Sequence, residues 1–142
     1  MGSIEEVFGD TLFLGTTRGL KRDEDRLWKI AEHLEEGERV RAFLSLKSSN
    51  LLLTSKRVLE LKPHLDVGGM WNVLRFEGYE VTSEVGMGDI RDVDVEEGVR
   101  GGDRLRLVGE AGEQAWLVPA SSSLEDSTGN ARAFAARIQD RL

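Results

Sequence analysis

Three clusters of residues in this chain have the types that build sites, and each has to meet the spacing its chemistry demands. Gly15-Thr16-Thr17-Arg18-Gly19-Leu20-Lys21 follows the apolar run Leu12-Phe13-Leu14. A phosphate loop places lysine directly after its second glycine, then Ser or Thr to hold magnesium. Here Leu20 intervenes and Arg22 follows Lys21, so no nucleotide site is expected. The acids Asp92, Asp94 and Glu96, with Glu97 and Asp103 beyond them, suggest calcium. A calcium loop needs glycine sixth and glutamate twelfth. Glu97 and Asp103 stand there instead, and alternation with Val93 and Val95 puts the acids on the wet face of a strand. The basic residues Arg39, Arg41, Lys47, Lys56 and Arg57 form the third cluster, and among them Lys47, Lys56 and Arg57 are the candidate anion contacts.

Catalysis has little to draw on. His33 and His64 are far apart in sequence, and no nucleophile elbow or metal-binding histidine pair is present. No enzyme activity and no cofactor are expected. The chain has no cysteine, which removes disulfides, zinc thiolates and thiol nucleophiles and makes the cytoplasm the expected compartment. A net charge of −7 opposes binding to nucleic acid and to anionic membranes. No run approaches the ~18 apolar residues of a membrane span, and the opening MGSIEEVFGD lacks the basic and apolar segments of a secretion signal.

The elements that position these residues follow from periodicity. The 142 residues suit one domain, with residues 1–24 as an accessory arm and 25–142 as the main body. Leu27, Ile30, Ala31 and Leu34 fall on one face of a helix that opens with Asp23, Glu24 and Asp25 and stops at Gly37. The period then becomes two, with Val40, Ala42, Leu44 and Leu46 on one face of a strand. Lys47-Ser48-Ser49-Asn50 reads as a turn, and LLLTSKRVLEL as a hairpin that bends at Thr54-Ser55-Lys56-Arg57. Pro63 is expected to end its second arm. A long apolar connection over 64–78 follows, then a strand with Ile90, Val93 and Val95 inward.

The final hairpin places Leu105 and Leu107 against Ala115, Leu117 and Val118. A last helix, capped by Thr128 or Asn130, aligns Ala131, Phe134, Ala135, Ile138 and Leu142. The order is therefore helix, six or seven antiparallel strands, helix.

Glu36-Gly37-Glu38-Arg39-Val40, then Thr54 and Arg57 between leucines, then Asp89-Ile90 with Val93, resemble the bacterial and archaeal pleckstrin-homology-like domains. The resemblance covers roughly residues 25–142, and the 64–78 connection and the N-terminal arm depart from it. It implies a mainly β fold: a barrel of about seven antiparallel strands in two near-orthogonal sheets, with an N-terminal helix and a C-terminal capping helix. Members of that family form ring-like homo-oligomers, which implies self-association here.

Eukaryotic relatives hold phosphoinositides with basic residues around the first inter-strand loop, where this chain has only Lys47. A corner of a small barrel needs local hydrogen bonding, so Thr54 and Arg57 read as architectural. Met70, Trp71, Leu74 and Phe76, in the departing connection, are the candidate partner contacts. The expected function is a non-catalytic module for protein contacts, self-association included. The alternative is a domain that binds lipid or a small ligand at the barrel end or the 64–78 loop.

Overall fold

The computed structural model describes residues 3–15, 22–68, 73–119 and 129–142, with the backbone alone at 65–68 and 73–77. Among the described residues three α-helices, α1 (Ile4–Phe8), α2 (Glu24–Ala31) and α3 (Asn130–Gln139), accompany eight strands in two sheets. The larger sheet runs β1 (Leu12–Leu14), β2 (Val40–Ser45), β3 (Asn50–Thr54), β4 (Arg57–Gly68) and β5 (Val73–Gly86), in that spatial order. The smaller sheet is the meander β6 (Ile90–Val99), β7 (Gly102–Gly109) and β8 (Gly112–Pro119).

The expected barrel is not formed: among the described residues no strand of one sheet pairs with a strand of the other. The reason lies at β2, whose outer edge is already occupied by β1 in parallel register, Leu12 opposite Ala42 and Leu14 opposite Leu44. Helix α3 packs on β2, β6 and β7 and fills the opening between the sheets. Phe134 and Ile138 are fully buried there, each contributing about 1.5–3 kcal/mol through burial of apolar surface. On the opposite side Glu60 of β4 accepts from Trp116 Nε1 of β8 at 3.2 Å and from Ser49 Oγ at 2.7 Å.

The larger sheet is buried on both faces, so its strands carry two apolar sets rather than one. Ala42, Leu44, Leu51, Leu53 and Val58 face the smaller sheet and α3. Val40, Phe43, Leu52, Leu59, Leu61 and Tyr79 form a second core with Phe8 of α1 and Leu27, Ile30 and Ala31 of α2. Val40 does not share a face with Ala42, as simple alternation would have it. A bulge between them shifts the register and moves Val40 onto the Phe43 side.

Pro63 does not end β4, which continues to Gly68 opposite β5. The β3 partner stops at Asn50, opposite Leu61, so Pro63 sits where one side of the strand has no ladder to feed. In the last hairpin Trp116 and Val118 turn inward while Ala115 and Leu117 are exposed, because Trp116 lies directly opposite the buried Leu105. Helix α3 ends at Gln139, which leaves Leu142 51% exposed, off the apolar face expected of it. Its N-cap is Gly129, with φ of +96°, and Thr128 lies outside the described residues.

Candidate functional site

Helix α2 starts because Asp23 accepts from the Arg26 amide at 3.2 Å, and it buries Leu27 and Ile30 against the larger sheet. Past Ala31 the chain makes two turns, and Gly37, with φ of +79°, supplies a left-handed conformation that costs a residue with Cβ more. This reversal drops Glu38 into the interior with a side chain that is 0% exposed. An unpaired buried carboxylate would cost several kcal/mol. Here every oxygen is matched.

Arg57, the first residue of β4, donates to Glu38 in fork geometry, Nε to Oε2 and Nη2 to Oε1, both at 3.0 Å. The Thr54 hydroxyl donates to Glu38 Oε2, and the Glu35 amide donates to Oε1 at 2.8 Å. Thr54 Oγ1 in turn accepts from the amides of Lys56 at 3.1 Å and Arg57 at 3.0 Å, which closes the hairpin bend. The remaining reach of Arg57 goes to the His33 carbonyl at 2.7 Å and to Glu84 of β5 at 2.6 Å. Burial pushes the Glu38 carboxyl up, but the bonds from Arg57, Thr54 and the Glu35 amide outweigh it and hold the group below its usual value. Its hydrogen bonds to Glu38 raise Arg57 further above the ordinary guanidinium range, against a burial effect of opposite sign. Both groups are charged at neutral pH.

This network forms one wall of a cleft of about 650 Å³ lined by Glu6 and Val7 of α1, by Ala31, and by 34–39. Val7, Ala31 and Leu34 make an apolar floor, while the exposed Glu6, Glu35 and Glu36 stand at the rim. The size falls within the range of small-ligand and peptide pockets.

The three candidate anion contacts do not converge. Lys56 and Arg57 share the β3–β4 turn, where Lys56 meets Glu35 at 3.1 Å and Arg57 is engaged as above. Lys47 is exposed in the β2–β3 turn, at the far end of β3, roughly 17 Å away at strand rise. Two acids of β6 are met by arginines of β7: Arg106 Nη2 reaches Asp94 at 2.5 Å and Arg104 Nη1 reaches Glu96 at 3.5 Å, each from the directly opposite position, while Glu97 pairs with Arg132 of α3. The bonds from Arg106 hold the Asp94 carboxyl below its usual value. Among the described residues no group of three or more His, Cys, Asp or Glu is placed to hold a metal ion. Thr16 to Lys21 lie outside the described residues.

Of the candidate partner contacts, Met70 and Trp71 lie outside the described residues, and Leu74 and Phe76 fall on β5. There the β4–β5 register pairs Leu65 with Phe76 and Val67 with Leu74. Directly opposed positions of an antiparallel ladder share a face, so these four apolar positions lie together. Asp66 and Arg75 are paired on the other face.

The sequence reading of Arg57 as an architectural corner residue does not name Glu38 as its partner. The signal was there: Glu38 has the parity of Val40, which marks it as inward-facing. Glu84 and Glu6 gave no comparable sign, since nothing in their local pattern sets them apart from other surface acids. No family model, no curated protein and no solved structure matches the chain. Among the described residues no helix is long and apolar enough to cross a membrane.

Proposed function

We propose that this protein is a non-catalytic module for protein contacts, with its own copies as the first partner, and that its fold is an opened relative of the pleckstrin-homology-like barrel. The observation that carries the assembly reading is the end of the β4–β5 hairpin. Beyond Leu61, β4 has no β3 neighbour, so 62–68 and 73–80 run as a two-stranded ribbon among the described residues. A two-stranded ribbon is marginal in water on its own. One face of this one collects Leu65, Val67, Leu74 and Phe76 by register, and β5 is an outer strand whose Val81 remains 36% exposed. Open edges and apolar faces are the features that invite pairing with another chain.

The likeness in fold is supported by the Thr54–Arg57 corner, by two sheets facing across one core, and by the C-terminal helix between them. Chromatography with light scattering at several concentrations tests the assembly. The wild-type chain is expected to run as a discrete oligomer, and Leu74→Ser with Phe76→Ser to run as a folded monomer. A wild-type monomer at every concentration would remove self-association.

A further inference from the structure

The cleft between α1, the end of α2 and the 34–39 turn lies apart from the ribbon, and self-association does not use it. Its lining holds four glutamates and one arginine, Arg39. Glu38 is neutralised by Arg57, so three exposed carboxylates, Glu6, Glu35 and Glu36, stand over the floor of Val7, Ala31 and Leu34 against the single exposed cation of the lining, Arg39. The carbonyl end of α2 points its partial negative charge toward the same region. The wall is preorganised, because the Glu38 network fixes the turn from both the helix and the hairpin.

We infer that this cleft docks a short basic segment of a partner protein, with an apolar side chain on the floor and flanking lysine or arginine at the rim. An acidic or neutral peptide would leave the rim carboxylates unmatched, and a purely polar one would leave the floor wet. Glu35 already meets Lys56 at 3.1 Å, but that pair is solvent-exposed, and such pairs exchange partners at little cost. A rigid wall lowers the ordering cost that short peptides usually pay on binding.

The test uses the full chain and three synthetic hexapeptides: Lys-Arg-Leu-Leu-Arg-Lys, the same peptide with serine for leucine, and the same with glutamate for each basic residue. Backbone amide shifts and fluorescence anisotropy report the site and the affinity. Only the basic, leucine-bearing peptide should bind, with shifts centred on Val7, Ala31, Leu34 and Gly37. Glu6→Gln, Glu35→Gln and Glu36→Gln together should weaken it roughly tenfold or more.

A control with Asp92→Asn, Glu96→Gln and Glu97→Gln removes the same charge from the smaller sheet and should leave binding unchanged. Equal weakening by the two triple variants would show attraction to the net charge alone and overturn the inference. Shifts elsewhere, or no binding, would do the same. The ribbon variant Leu74→Ser, Phe76→Ser should bind the peptide like the wild type, which separates this site from the assembly reading.

Discussion

Strand β4 is held at one end and open at the other. At Arg57 it has β3 on one side, β5 on the other, and a guanidinium that binds Glu38, Glu84 and the His33 carbonyl. At Gly68 its described neighbour is β5 alone. The two ends are built from the same alternation of apolar and polar residues. They differ in how many elements converge on them, and that number decides which end is frame and which is contact surface. Charge follows the same division. Glu38 and Arg57 meet in the interior with the carboxylate fully matched, whereas Asp94 and Arg106 make a similar fork on the half-exposed face of the smaller sheet.

The largest effect should come from breaking the held end. Glu38→Ala leaves the Arg57 charge buried without its main partner and should destabilise the fold by about 3–5 kcal/mol in denaturant titration. A loss comparable to that of a surface change would mean that the corner is not the frame described here. Its pH dependence is set by the direction of the Glu38 shift. The folded group lies below its ordinary value of 4.5, so its stabilisation is complete above that value and fades as the pH falls through the folded value. Wild-type protein should lose stability below about pH 4.5, and Glu38→Gln should lose less over the same window.

Phe134→Ala, which removes a fully buried ring between the sheets, should cost about 3–5 kcal/mol by the same titration. Thr54→Val keeps the shape but strands the Lys56 and Arg57 amides and one bond to Glu38, for about 1–3 kcal/mol. Asp94→Asn sharpens the contrast from the other side: the pair is exposed, and the unfolding midpoint should not move measurably.

Much of this division was legible in the chain. The helix before Gly37, the Thr54–Arg57 bend, the β7–β8 hairpin and the buried face of α3 all follow from period and turn chemistry. What failed did so where a second element changed the environment of a residue. Pro63 reads as a stop because proline starves a ladder, yet it is tolerated where β3 has already ended. Val40 reads with Ala42 because a bulge leaves no mark in period two. The barrel was expected from the resemblance alone, and no local pattern announces that three residues of the N-terminal arm occupy the β2 edge. The apolar content of 64–78 was visible as a departure, but the sharing of one face by positions 65, 67, 74 and 76 depends on a register that skips Glu77.

Hydrogen exchange along β4, read at several protein concentrations, tests the central claim most directly. If the open end is completed by a second copy, protection over 62–68 should rise with concentration, while the amides of Thr54 to Leu59 stay equally protected throughout. Protection over 62–68 that is independent of concentration would contradict the account, because the ribbon would then be finished within a single chain.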